Sequence, residues 1–182
     1  MSGLADPSGL NGWIYPDPMA TTFPLRRGDG SPTYPDRRRR MPIYRGPIPE
    51  PVRAQLRELA GAWLPEPDLE RAYLHVGTPL ARLILRAMPD PLPGVDPAAV
   101  TLGRHIFMDP AYWPPDRLSR FRLLVHELIH VRQWRERGVL GFLWAYLRDY
   151  LARRYAGVRL EQEAEAIATA AAEQWQARGL PV

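Results

Sequence analysis

Residues 123–130 read Leu-Leu-Val-His-Glu-Leu-Ile-His, and they lie in a segment whose apolar spacing predicts a helix over residues 117–137. The i, i+4 spacing places His126 and His130 on one helical face, with Cβ atoms about 6 Å apart. Two imidazoles in this position can bind one Zn²⁺ at about 2.0–2.1 Å. Glu127 can then reach a metal-bound water and accept its proton without being a ligand itself. The alternative is a helix with two partly buried histidines and one surface glutamate.

A hydrolytic zinc site needs a third protein ligand and one open position. The chain has no cysteine, and its only other histidines are His75 and His105. Residues 160–166 read Leu-Glu-Gln-Glu-Ala-Glu-Ala, and acidic residues here could simply stabilise the start of a helix. In the functional interpretation, Glu161 completes the site. Glu165, one turn later, then orients a ligand histidine through its free ring N–H.

Segments 126–134 (His-Glu-Leu-Ile-His-Val-Arg-Gln-Trp) and 160–165 (Leu-Glu-Gln-Glu-Ala-Glu) together resemble the gluzincin branch of the zincin metallopeptidases. More narrowly, they are similar to a small bacterial zincin-like domain associated with extracellular contractile injection systems and polymorphic toxins. The resemblance implies one Zn²⁺ with Glu161 as the third ligand. It places Glu165 where related proteins carry an aspartate, and Glu163 remains an alternative ligand.

The resemblance also implies an α+β fold, namely a mostly helical, zincin-like (minigluzincin) domain with a short β-sheet and an active-site helix. Apolar spacing predicts helices at about residues 52–63, 80–87, 117–137, 142–155 and 160–177. Pro65 and Pro67 are expected to end the first helix, and Gly138 the third. Residues 100–108 predict a single strand.

The chain divides into residues 1–50, a Pro/Arg-rich disordered or extended segment, and residues 51–182, the zincin-like domain. Residues 1–51 hold ten of the 21 prolines. The four arginines at 37–40 indicate either a solvated tail or a contact with an anionic partner. The proline-rich segment is also a possible docking site for a protein partner.

Composition excludes several classes of function. Without cysteine there is no disulfide scaffold or thiolate site, and without lysine there is no Schiff-base or phosphate-loop chemistry. Residues 50–182 carry 17 arginines and 16 acidic residues, so specific nucleic-acid binding is not expected. No signal peptide is expected, because residues 1–20 have no basic n-region and no apolar h-region. No transmembrane segment is expected, since the charge-free stretch 138–147 is only ten residues long. We therefore expect a cytoplasmic protein, or one exported without a classical signal peptide.

Catalysis would also use a hydrogen-bond donor opposite the general base, and an edge strand that pairs with the substrate. The strand predicted at 100–108 suits the second role. Candidate donors are Tyr146, Tyr150, Tyr155 and His105, each with a packing role as the alternative. Gln133 lies seven residues after His126 on the same face, where it could support a ligand or simply pack.

The motif and the resemblance together predict a zinc metalloendopeptidase that cleaves a peptide or protein substrate. His126, His130 and Glu161 bind the metal, and Glu127 is the general base. The alternative is a catalytically silent zincin-fold module with a structural, cargo or interaction role in a secretion or injection system.

Overall fold

The computed structural model describes residues 43–87, 98–153 and 158–182. Within these residues helices predominate, and the strands form a single small sheet, which confirms the predicted α+β class. The elements are β1 (Tyr44–Pro47), α1 (Glu50–Ala60), α2 (Glu66–Arg71), β2 (Tyr73–Val76), α3 (Pro79–Ala87), β3 (Ala99–Leu102), β4 (His105–Met108), α4 (Leu118–Arg153) and α5 (Arg159–Ala177).

The sheet has the strand order β1-β2-β4-β3. Strands β2 and β4 pair in parallel, and the two outer strands pair antiparallel to them. Alternate residues of β2 and β4 are fully buried and join the main core, because side chains alternate between the faces of a strand. Strand β3 is an edge and packs against α4, so the sheet presents this edge to the helix that carries the histidine motif.

The prediction of one strand over residues 100–108 is wrong. Ala99–Leu102 and His105–Met108 form an antiparallel hairpin, with Leu102 paired to His105. Gly103 lies in the tight turn with a φ of 63°, a left-handed conformation that glycine adopts without steric cost. The chain therefore reverses at Gly103, and the edge strand is only four residues long.

Strand β1 comes from the end of segment 1–50, since Tyr44–Pro47 pairs with Tyr73–Val76. Ile48, one residue beyond this strand, is 1% exposed and belongs to the core. Residues 1–42, which include most of the predicted tail and the arginine run, lie outside the described residues.

Two prolines act differently from the prediction. Helix α1 already ends at Ala60, and Pro65 precedes a second helix, α2, whose first turn contains Pro67. Proline is tolerated in a first helical turn because its missing N–H has no partner there. Asp68 of α2 is fully buried and accepts two hydrogen bonds from Arg135 of α4, at 2.6 and 3.1 Å. This ion pair anchors the short helix against the long one.

Helix α4 changes direction at Gly138, where the predicted helix end is confirmed by a φ of 65° and a ψ of 174°. The ring centroids of His130 and Phe142 are 6.3 Å apart, although a straight helix would separate these positions by about 18 Å. Trp134 and Phe142 stack at 4.1 Å. Residues 139–153, here called the cover segment, therefore fold back onto the first half of α4.

Helix α5 packs closely along α4. Its buried face carries small side chains, at Ala164, Ala168 and Ala171, before the large Trp175. The ring of Trp175 packs against Phe121 of α4, with centroids 4.7 Å apart. Small residues on one face let two helices approach closely, which brings the start of α5 to the middle of α4.

Candidate metal centre

Three side chains from two helices converge on one point. His126 and His130 come from α4, and Glu161 comes from the first turn of α5. The two histidine Nε2 atoms are 3.1 Å apart, and Glu161 Oε2 lies 3.4 Å from His126 Nε2 and 3.6 Å from His130 Nε2. These side chains are largely buried but not sealed, with exposures of 18%, 9% and 14%. We call them the donor triad.

The spacing of the donor triad fits a zinc ion. Zinc bonds of about 2.0–2.1 Å at tetrahedral angles place neighbouring donor atoms about 3.3 Å apart. The three observed distances, 3.1, 3.4 and 3.6 Å, bracket that value. Two imidazole nitrogens with one carboxylate oxygen are also a ligand set of hydrolytic zinc sites, and such a set leaves a fourth position open.

Gln133 contacts the side of the His130 ring that faces away from the donor triad. Its Oε1 lies 2.8 Å from His130 Nδ1, and its Nε2 donates to Leu160 O and Glu163 Oε2, both at 3.0 Å. Because both of those partners can only accept, the amide orientation is determined and His130 Nδ1 must carry the proton. This tautomer leaves the lone pair of His130 Nε2 directed into the donor triad.

Glu163 does not join the donor triad. Its carboxylate forms an ion pair with Arg132 and accepts a hydrogen bond from Gln133. Glu163 therefore lies beside Gln133, on the side of His130 that faces away from the donor triad.

Glu165 lies on the other side, beside His126. Its Oε2 is 3.6 Å from His126 Nδ1, and its carboxylate forms an ion pair with Arg122. A distance of 3.6 Å is an electrostatic contact rather than a hydrogen bond. The side chain predicted to orient a ligand histidine thus lies next to the ring nitrogen that faces away from the triad.

Glu127 is 5% exposed and is held by a residue of the edge strand. Thr101 Oγ1 donates a hydrogen bond of 2.6 Å to Glu127 Oε2 and also lies 3.2 Å from the Glu127 backbone carbonyl. Because one carboxylate oxygen is engaged, Oε1 is the oxygen left for other partners. Sequence reasoning missed Thr101, since nothing in a threonine within a strand indicates a partner 26 residues away.

The electrostatics of the triad favour a charged pair when no cation is bound. Burial opposes a charge on His130, but Glu161, Glu127 and Gln133 outweigh it and raise the pKa of His130 to about 9. Burial likewise opposes ionisation of Glu161. The two imidazoles at its carboxylate nevertheless hold the pKa of Glu161 well below its usual range. At neutral pH the triad without a cation therefore pairs a protonated His130 with the Glu161 carboxylate, and a cation must displace the His130 Nε2 proton to use that nitrogen.

The four residues predicted as candidate hydrogen-bond donors opposite the general base lie in different parts of the structure. Tyr146 is half-buried in the cover segment and stacks on Phe142, with centroids 6.1 Å apart. Tyr150 lies in α4 without a described side chain, and Tyr155 lies outside the described residues. His105 Nδ1 is 3.2 Å from His75 Nε2, and its ring packs with the rings of Tyr73, His75 and Phe107 rather than with the triad.

The edge strand next to the site is β3, not the whole of residues 100–108. The carbonyl of Thr101, on this strand, accepts a hydrogen bond of 3.3 Å from the indole N–H of Trp134. Thr101 therefore contacts helix α4 twice. Its side chain bonds to Glu127, and its backbone carbonyl bonds to Trp134.

Comparison with known proteins gives one match. The family model described as the eCIS core domain matches residues 47–138, which is half of the chain. The match includes the histidine motif and ends before α5, so Glu161 lies outside it. No curated protein and no solved structure matches the chain significantly.

Proposed function

The chain belongs to the eCIS core domain family, and from this premise, together with the donor triad, we propose that it is a zinc-dependent metallopeptidase. The observation that carries the proposal is the convergence of His126, His130 and Glu161 at distances suited to zinc, with Glu127 next to them in the chain. The resemblance of the two motif segments to gluzincins supports peptide bonds as the substrate.

His126 Nε2, His130 Nε2 and Glu161 Oε2 would hold the ion. Bound Zn²⁺ supplies Lewis acidity, which polarises a carbonyl and lowers the pKa of water to about 7. Glu127 Oε1 would accept the proton of the attacking water and return it to the leaving amine. Thr101 keeps the carboxylate in place through Oε2, and Gln133 keeps the ring of His130 in the binding tautomer.

Two further assignments belong to this proposal. Edge strand β3 would pair with an extended peptide, and residues 1–42 would dock on a protein partner of a secretion or injection system. Association with extracellular contractile injection systems follows from the family. Action in the cytoplasm, or after export without a classical signal peptide, is part of the proposal.

A catalytically silent module is the second candidate, and one observation favours it. The cover segment packs its Phe142 ring edge-on against His130 of the triad, with ring centroids 6.3 Å apart. A site covered in this way could serve structure or cargo attachment, with zinc tying α4 to α5.

Metal content tests the zinc site. Wild type, Glu127→Gln, Glu161→Gln and the control Glu173→Gln, which is exposed on α5, are purified identically and analysed by mass spectrometry for metals. We expect one zinc per chain in all but Glu161→Gln. Absence of zinc from the wild type after reconstitution would refute the proposal. Zinc retained by Glu161→Gln would refute the ligand assignment.

Turnover separates the two candidates. The same proteins are incubated with a degenerate peptide library, and new termini are detected by mass spectrometry. If the protein is a metallopeptidase, the wild type and Glu173→Gln should both cleave the library. Glu127→Gln should keep its zinc but lose cleavage. Full zinc occupancy with no cleavage by either protein would instead favour the silent module.

A further inference from the structure

The cover segment exposes a continuous apolar stripe. The side chains concerned are Leu140, Leu143, Trp144, Leu147 and Leu151, which are 83%, 50%, 67%, 51% and 75% exposed. Their spacing of i, i+3, i+4, i+7 and i+11 places them on one helical face. Single exposed leucines are common on protein surfaces, but an aligned row of five large apolar side chains marks an interaction surface.

The fold does not need this stripe for its own core. The opposite face of the segment already packs inward through Phe142, which clusters with Val158 and Leu160. Asp149 is 5% exposed and accepts a hydrogen bond of 3.4 Å from the backbone N–H of Arg159 at the start of α5. The inner face therefore fixes the rotation of the helix, and the stripe faces outward as a consequence.

The described exposed charged side chains nearest the stripe in the sequence are mostly basic, with Glu136 the exposed acidic residue just before them. Among the described side chains of residues 137–159, the exposed charged ones are Arg137, Arg148 and Arg159, while Asp149 is buried against Arg148 and Arg159. Arg148 follows Trp144 by one helical turn and so borders the stripe. Two copies docked face to face would oppose like charges, whereas an anionic surface would complement them.

We propose that the apolar stripe docks the protein on the surface of an anionic lipid bilayer. A helix with leucines and a tryptophan on one face and arginines at its margin lies in the plane of the interface. Each arginine near the surface adds attraction to anionic headgroups. None of the helices formed by the described residues combines the length and apolar content needed to cross a bilayer, so docking would be peripheral.

Vesicle flotation tests the proposal. The full chain is floated with vesicles of phosphatidylcholine alone, and with vesicles of phosphatidylcholine and phosphatidylglycerol in equal parts. We expect firm binding to the mixed vesicles and much weaker binding to the neutral ones. The double variant Leu140→Ser/Leu147→Ser should lower binding to mixed vesicles at least about tenfold. Arg137→Gln should lower it about fivefold.

The matched control is Leu80→Ser/Leu83→Ser on α3, where two leucines are 48% and 64% exposed outside the stripe. It should bind like the wild type, and far-UV circular dichroism should be unchanged in all variants. Equal loss in the control, equal binding to both vesicle types, or no flotation at all would overturn the proposal.

Two other occupants give distinct results. Self-association in sedimentation velocity that disappears in Leu140→Ser/Leu147→Ser would assign the stripe to a second copy. Protection of Trp144 from hydroxyl-radical labelling in the protein without vesicles would show that the chain itself covers the stripe. Either result would overturn membrane docking.

Discussion

Gln133 joins one histidine of the donor triad to the helix that supplies the glutamate. Its amide accepts from His130 Nδ1 and donates to Leu160 O, so a single side chain connects α4 and α5 behind the site. Residues that hold a ligand from behind usually change metal affinity 10–100-fold when they are replaced.

We therefore expect Gln133→Leu to weaken zinc binding by about 10–100-fold, because His130 loses its orienting acceptor. Competition with a chromophoric chelator measures the affinity. Gln174→Leu, at an exposed position of α5, is the control and should bind zinc like the wild type. Unchanged affinity in Gln133→Leu would mean that the ring is oriented without the amide.

Thr101 is a positioning residue for Glu127. Under the proposed peptidase function, Thr101→Val should retain zinc and lower kcat about tenfold, because the carboxylate loses its 2.6 Å hydrogen bond. Thr101→Ser keeps the hydroxyl and should restore most of the rate. The pH profile of kcat should move in Thr101→Val but not in Thr101→Ser. An unshifted profile would indicate a purely structural role.

Only part of this site can be predicted from residue order. The spacing of His126 and His130 is local, so a helical period alone places the two rings together. Which glutamate joins them depends on the rotation of α5 against α4, and that rotation is set by packing. Thr101 depends on the register of an edge strand, which no local pattern encodes.

Gly138 allows α4 to reverse, and Gly141 provides a matched comparison on the same element. Gly138→Ala should destabilise the fold by about 1 kcal/mol, because a Cβ disfavours its φ of 65°. Gly141→Ala should stabilise it by about 0.5–1 kcal/mol. A Cβ there meets only Arg137 Cβ, at 3.4 Å.

Urea unfolding monitored by circular dichroism measures both changes. The opposite signs are the test, since both variants add the same methyl group to an exposed glycine of one helix. If both variants stabilised the protein equally, the reversal at Gly138 would not exist in solution.

Elements with a strong local period were the predictable ones. The segment 160–177 is rich in alanine and glutamate, and α5 spans Arg159–Ala177. Strands of four residues are harder to predict, because β1 contains Gly46 and Pro47 and carries little alternation. It is a strand because β2 offers it an edge, which is a non-local cause.

At the scale of the whole molecule, the resemblance to a small zincin-like domain correctly implied a mostly helical α+β fold with a short sheet. It could not indicate which face of the sheet would bury titratable groups. Leu74 and Ile106 join the main core, whereas His75 and His105 alternate with them and meet on the other face. This second face makes the stability of the fold depend on pH.

The pKa of both histidines is lowered in the fold. Burial is the main cause for each. The nearby His105 and Arg45 further lower the pKa of His75, and the charges of Arg104 and Arg45 further lower the pKa of His105. The unfolded-state pKa of histidine is about 6.5. When the folded-state pKa is lower, the histidine makes its full contribution to the free energy of unfolding only above about pH 6.5. This contribution is lost as the pH falls toward the folded-state pKa, because the unfolded chain then binds more protons.

We therefore expect the free energy of unfolding of the chelated, metal-free protein to fall between about pH 7 and pH 5. The His75→Phe variant, which keeps a ring to stack on Phe107, should flatten this dependence. His130 cannot produce the same fall. Its pKa is raised to about 9, so its contribution is complete below about 6.5 and is lost only as the pH rises. An equally steep acid loss in His75→Phe, measured by urea unfolding at each pH, would place the responsible groups elsewhere.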